Sequence, residues 1–270
     1  MKRHTTFAIA TTLVVLLAMA NTGAAQPAVT FVDPTPSDGA DIGEASSVEV
    51  QAQIVELALT DVAFNWNGTT YPIYDDSLIL MFNFDSMPLA DLSTYGHEVT
   101  GGTVDAADIA AYSAQSYYGS YLDLDTDEYV QVTDSTELNT SVFTIACWFR
   151  ADNPSSGTQT LVARGEDAGD KAQWVVELND SSNPGTVQLW YEETSDADHY
   201  FPAGTTILPD RWYHFAASRD SSGTVKVYLD GVKKGEWTGQ ADPAIIDVPV
   251  RIGGRWNNPS MQEFFDGGID

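Results

Sequence analysis

Between Gln26 and Phe149 the chain has no lysine or arginine, although the same stretch holds 20 aspartates and glutamates. Over the full 270 residues 12 basic residues face 39 acidic ones, a formal net charge of −27. A polyanion of this strength repels phosphate backbones, which excludes nucleic acid as a partner. Such self-repulsion is tolerated where salt screens a solvated acidic surface, or where divalent cations sit among the carboxylates. Cysteine is nearly absent too. Cys147 stands alone, so no internal disulfide can form. It lies in FTIACWFR, where alternation puts Ile145, Cys147 and Phe149 on one strand face and Ala146 and Trp148 on the other. No histidine lies nearby in sequence, so a buried thiol is expected rather than a nucleophile.

Long apolar runs are missing apart from Phe7 to Ala20, which follows Lys2, Arg3 and His4 and is too short to span a bilayer. That segment reads as a secretory signal over residues 1–25, with small residues at Ala18 and Ala20, or at Gly23 and Ala25, as cleavage points. The mature chain then begins near Asn21 or Gln26. Removing Lys2 and Arg3 leaves 10 basic residues (12 minus 2) and a net charge of −29. Export to the cell surface or the medium is expected, with no transmembrane segment beyond the signal. No Ser, His and Asp series, no glycine-rich phosphate loop and no His or Cys metal cluster is present.

Helical periodicity is equally scarce. VDAADIAAY, from Val104 to Tyr112, is expected to be an irregular connection or one turn. Elsewhere the apolar residues repeat every second position between Gly, Asp, Asn, Ser and Pro, the pattern of an all-β protein. Residues 26–76 predict a small immunoglobulin-like β module. In it, SSVEVQAQIVE alternates and VAFNWNGTTYPIY turns at Asn67-Gly68, a pair suited to the positive φ of a hairpin turn. Residues 77–270 predict a larger sandwich. In DSLILMFNFD, the residues Leu78, Leu80, Phe82 and Phe84 share one face and Ile79 and Met81 the other, as in a central strand covered on both sides. From Asp210 to Trp237, DRWYHFAASRDSSGTVKVYLDGVKKGEW predicts a three-stranded antiparallel meander with turns at Ser-Ser-Gly and Asp230-Gly231.

That meander resembles the laminin G-like members of the concanavalin A-like lectin and glucanase superfamily. The resemblance is carried by Trp212-Tyr213-His214-Phe215 and Val227-Tyr228-Leu229-Asp230-Gly231, with LILMFNFD, YGHEVTGG, YLDLDTDEYVQV, FTIACWFR, VRIGGR and FFDGGID in the expected order. It implies a concanavalin A-like jelly-roll sandwich. It also implies a further strand after Gly-Gly-Ile-Asp that pairs beside the opening one, so this domain is expected to lack its last strand. The first module resembles the small β-domain that precedes such sandwiches in exported prokaryotic surface proteins.

The resemblance implies recognition of a glycan or other cell-surface polymer, with adhesion to other surface proteins as the alternative and glucan hydrolysis third. It implies a structural calcium where Asp85 meets Asp270, completed by carbonyls and water. Asp123, Asp125 and Asp127 stand where catalytic relatives carry a same-face Glu, Asp, Glu series, but the aspartate arms are shorter and the series runs into a turn. No catalytic residue is therefore assigned. Sugars stack on exposed rings flanked by polar groups. Trp148, Trp174, Trp212 and Tyr213 sit in strong strand patterns and are expected in the core. Trp190, Tyr191, Tyr200 and Trp256 stand beside polar loops; Trp256 with Arg255 and Asn257 is the preferred sugar-binding group, with Trp190 and Tyr200 beside it. Sequons at Asn67, Asn139 and Asn179 fit glycosylated loops.

Overall fold

A computed structural model describes residues 28–33, 35–37, 51–55, 62–66, 69–112, 119–167, 172–257 and 260–270. The expected signal and the Asn67-Gly68 turn lie outside the described residues. The chain divides into two compact units, Met1–Leu78 and Ile79–Asp270. In the first, β1 (Ala28–Val32) pairs antiparallel with β2 (Gln51–Val55), and β3 (Val62–Trp66) with β4 (Thr69–Tyr74).

The second unit is a jelly-roll sandwich of two antiparallel sheets. One runs in the order β13 (Asp198–Pro202), β12 (Val187–Glu192), β11 (Ala172–Leu178), β10 (Gln159–Asp167), β17 (Val250–Ile252), β8 (Val130–Val132), β5 (Val99–Gly102). A short hairpin of β18 (Arg255–Asn257) and β19 (Ser260–Gln262) joins it where β18 runs parallel to the end of β10. The other runs β16 (Val232–Trp237), β15 (Val225–Leu229), β14 (Trp212–Arg219), β9 (Phe143–Ala151), β20 (Gly267–Ile269), β7 (Ser120–Leu124), β6 (Ile109–Ala111).

Alternation decides what each strand buries. In β14, Tyr213, Phe215, Ala217 and Arg219 point into the sandwich while Trp212, His214, Ala216 and Ser218 point out; in β15, Val225, Val227 and Leu229 point in. These residues meet Val176, Leu189 and Phe201 of the opposite sheet in one apolar core, and Phe201 touches Trp237 edge-on at 5.3 Å across the sheets. Burying this much apolar surface is the dominant stabilising contribution. The meander forms as expected, and Val104 to Tyr112 forms a single 3-10 turn at Ala106–Asp108 followed by β6. Cys147 is partly buried against the core, and desolvation pushes its thiol pKa up to about 12, which disfavours the reactive thiolate.

The closing stretch explains its two glycines. Gly267 adopts φ +139°, and a Cβ there would lie 2.0 Å from the Arg150 carbonyl oxygen. Only glycine lets β20 enter the ladder between β7 and β9.

Three expectations are corrected. Leu78 to Phe84 makes no ladder with any described strand. A side chain has taken the place of a partner strand: Asp91 accepts the Met81 N–H at 2.9 Å, Leu92 N–H donates to the Met81 carbonyl, and Ser93 Oγ donates to the carbonyl of Ile79. Phe84 has φ +48°, outside any strand conformation. Trp148 and Trp212 are not core residues but sit half-buried on the outer face of their sheet; Trp174 and Tyr213 are core. Tyr191 faces inward and is fully buried, its hydroxyl donating to the Ala241 carbonyl. The carboxamides of Asn139 and Asn179 are occupied at both ends. Asn139 donates to Asp247 and accepts from Arg164; Asn179 donates to the Gly157 carbonyl and accepts from the Gly185 N–H. An N-linked glycan leaves each nitrogen one N–H, enough to keep the bond it donates.

Candidate functional site

Two groups of aromatic and polar side chains lie on the outer faces of the sandwich, one on each sheet. The first gathers most of the residues picked out by sequence. Register places Val175 of β11, Trp190 of β12 and Tyr200 of β13 side by side, so the two rings stack at 5.9 Å. The guanidinium of Arg255, carried by β18, lies 5.4 Å from the Trp190 ring and is clamped by Glu263 at 2.6 and 2.9 Å. Trp256 instead meets Arg251, at 5.7 Å, and Asn257 lies at the end of the same strand.

The centre of this group is closed. Trp190 is 8% exposed, packed with Ala163, Ala172 and Val175 and contacted by Arg255 and Tyr200; Trp256 is half-buried, and Tyr200, at 39%, is exposed. Sequence reasoning missed its buried carboxyl, Glu177, which is 2% exposed and accepts from Gln188 at 2.8 Å. Burial raises the Glu177 pKa to about 7, and the hydrogen bond from Gln188 and the charge of Arg255 offset this only in part. β11 and β12 are buried on both faces, so their polar residues cannot be told from solvated ones by periodicity.

The second group is open. On the outer face of the other sheet, Trp148 of β9 stands opposite His214 of β14, and Arg150 opposite Trp212. The Trp148 and His214 rings meet edge-on at 5.1 Å. With Asp210, Arg211, Asp230 and Gly231 these residues line a groove of about 750 Å³. Its floor is fixed from below. Trp212 packs with Tyr112 at 5.1 Å and Tyr121 at 5.0 Å, and Arg150 stacks over Tyr121 and Trp212 while donating to Tyr121 Oη and Asp123. Its rim is fixed by Asp230, which accepts the His214 N–H at 3.0 Å and lies 3.5 Å from Arg211. Two half-buried indoles with carboxylates at the edge offer a flat apolar surface beside hydrogen-bond acceptors, the chemistry that a sugar ring needs.

The acidic pair implied for calcium is close enough for the Asp85 charge to add to the burial that raises the Asp270 pKa. Asp85 accepts the Ser120 N–H at 2.9 Å and an Asn83 amide at 2.5 Å; Asp270 accepts the Tyr112 hydroxyl at 2.8 Å. Carboxylate and neighbouring carbonyl oxygens suit a hard cation, which would relieve their repulsion. Among the described residues no group of three or more His, Cys, Asp or Glu gathers as metal ligands. Asp123 points to Arg150, Asp125 is exposed in the turn closed by Glu128 N–H, and Asp127 is exposed beyond it, so the three carboxylates leave the strand as they go.

Sandwich, strand order and the open aromatic groove define a lectin-like jelly roll. The chain belongs to the laminin G-like group of the concanavalin A-like lectin/glucanase superfamily, whose family model matches residues 124–270. No curated protein sequence matches it. Among solved structures it is similar to the binding domain of Paraclostridial Mosquitocidal Protein 1, at 14% identity and TM-score 0.54, over 71% of this chain and 47% of that one. It is also similar to domain 4 of AbnA, a GH43 extracellular arabinanase from Geobacillus stearothermophilus solved with arabinotriose, at 20% identity and TM-score 0.47, over 66% and 84% of the two chains. The chain thus spans about half the length of the toxin domain it matches, and at these identities the likeness is one of fold.

Proposed function

We propose that the protein is an exported recognition module that binds a polysaccharide through the groove between Trp148 and Trp212, without catalysing a reaction on it. One observation carries this: the groove is open, and it sets two half-buried indoles beside His214, Asp210 and Asp230 on strands braced by the core. The Trp190 group, although it assembles, buries its central indole and leaves Tyr200 as its most exposed ring. Membership of a superfamily of lectins and glucanases supports the same reading. Calcium held by Asp85 and Asp270 would brace the edge where Tyr112 meets Asp270, next to the floor of the groove.

Affinity electrophoresis of the full chain through gels containing neutral and amino-sugar polysaccharides tests this. Retardation by at least one polymer is expected, lost in Trp148→Ala and Trp212→Ala and kept in Tyr200→Ala. Retardation that survives both tryptophan substitutions moves the site elsewhere. No retardation in any gel favours adhesion to proteins, and release of reducing ends that disappears in Asp125→Ala overturns the non-catalytic reading.

A further inference from the structure

The charges around the groove do not balance, and the imbalance has a chemical consequence for its ligand. Asp210 and Asp230 line the groove itself. The one cation in the lining, Arg211, is committed: its guanidinium lies 3.5 Å from Asp230 and 4.8 Å over the ring of Tyr213. Arg150, on the same outer face beside Trp212, is shared between Asp123 at 3.0 Å and Asp152 at 3.1 Å. Four carboxylates thus meet two guanidinium groups. His214 adds no positive charge at neutral pH, because burial holds its pKa below the ordinary value and Asp230 offsets this only in part. The protein as a whole carries −27.

In this field a uronic acid polymer is repelled both at long range and at the rim. A neutral sugar gains stacking but leaves the rim charge uncompensated. A protonated amine on a sugar gains twice, from the Trp148 indole that lines the groove and from the carboxylates, the arrangement by which aromatic sites take ammonium groups.

We propose that the glycan recognised in the Trp148–Trp212 groove is an amino sugar polymer bearing free ammonium groups, a reading that rests on this groove being the glycan site. Aromatic faces select the sugar ring, and Asp210 and Asp230 select its charge. The acetylated form of the same polymer, isosteric along its backbone but neutral, is the discriminating competitor.

Titration calorimetry on the full chain, at mildly acidic pH where the amine is protonated, compares three tetramers: glucosamine, N-acetylglucosamine and galacturonate. The glucosamine tetramer is expected to bind about tenfold more tightly than its acetylated counterpart, the size of one cation–π contact. Galacturonate is expected not to bind, and the glucosamine preference to shrink as salt is raised. Asp210→Asn is expected to remove most of that preference, and so is Asp230→Asn, whose carboxamide oxygen can still accept the His214 N–H. Trp148→Ala keeps the charge of the protein, so loss of glucosamine binding there separates the groove from general attraction between polycation and acidic surface; binding that persists there overturns the proposal. Equal or tighter binding of the acetylated tetramer, abolished in Trp148→Ala, overturns the ammonium preference and leaves glycan recognition standing. Silence of all three tetramers together with every polysaccharide gel sinks both.

Discussion

The guanidinium of Arg255 lies over the indole of Trp190, and Glu263 holds it there through two hydrogen bonds of 2.6 and 2.9 Å. This pair seals the one aromatic cluster that sequence alone proposes for sugar binding. Removing the guanidinium leaves Glu263 without its main partner and uncovers Trp190. Arg255→Ala is therefore expected to lose about 2 kcal/mol of stability, as for charge-assisted hydrogen bonds in a partly buried setting. It should also raise acrylamide quenching of tryptophan fluorescence. Polysaccharide binding should not change, and a loss of binding at unchanged fold would restore this cluster as the site.

Beneath that seal, Glu177 is a buried carboxyl whose pKa rises from 4.5 in the ordinary state to about 7. The folded protein therefore holds this proton more tightly than the unfolded chain does. The resulting stability is fully present below about pH 4.5 and is lost as pH rises through about 7. Glu177→Gln keeps the shape and an oxygen that accepts from Gln188. It should stabilise the protein at pH 8 by an amount on the order of 3 kcal/mol at most, and by much less at pH 5. Urea midpoints at the two pH values check this, and an equal shift at both contradicts it.

How much of this was legible in sequence depends on the residue. The meander from Trp212 to Trp237 was, because strict alternation and two turns leave one antiparallel solution. Which of its faces points inward was not. Trp212, His214 and Ala216 look as apolar as Tyr213, Phe215 and Ala217, and only the opposite sheet decides between them. The groove was therefore hidden in a pattern that reads as core. Ile79 to Phe84 failed for a different reason: it forms no ladder, and Met81 and Ile79 bond instead to Asp91, Leu92 and Ser93, contacts of which hydrophobic patterning carries no trace. Trp190, Tyr200 and Arg255 do come together, but Trp190 is buried rather than facing solvent, and Glu177 and Glu263 join them from segments that sequence gives no reason to bring there.

Arg164 is fully buried and spends every nitrogen. It donates to the carbonyls of Leu138 at 3.0 Å and Val248 at 3.2 Å, to Asp134 at 2.5 Å, to Asn139 at 2.8 Å, and to Gln173. Gln173 in turn donates to the carbonyls of Leu138 and Thr140, so one side chain pins the connection before β9 to the sheet of β10 and β11. Arg164→Ala should cost about 3–5 kcal/mol, as when one partner of a buried pair is removed. Arg164→Lys should recover little, since an ammonium cannot span these acceptors. Thermal unfolding of the two variants checks both.

Calcium, if Asp85 and Asp270 hold it, binds the folded state alone and must stabilise it by mass action. At a hundredfold excess over its dissociation constant the gain is about 2.7 kcal/mol, a rise of several degrees in Tm. Asp270→Asn should abolish the response while keeping an oxygen to accept from Tyr112. Identical melting of the native protein in calcium and in chelator removes this site from the account.

The last prediction turns on two adjacent glycines that face different obstacles. Gly267 has no room for a Cβ because the Arg150 carbonyl oxygen would lie 2.0 Å away, and its φ of +139° disfavours any other residue. Gly268 has ordinary backbone geometry, but a Cβ there would lie 2.8 Å from the Trp212 ring and 2.9 Å from Tyr121. A ring can shift where a ladder carbonyl cannot. Gly267→Ala should therefore unfold or strongly destabilise the sandwich, because β20 links β7 to β9 through that backbone. Gly268→Ala should fold with a penalty of about 1–3 kcal/mol, typical of overpacking. By displacing Trp212 it should also weaken polysaccharide binding about tenfold or more, an effect on the site out of proportion to its effect on the fold. Near-ultraviolet circular dichroism with affinity electrophoresis separates the two. A Gly268→Ala protein that binds like the native one would show that Trp212 does not form the contact surface.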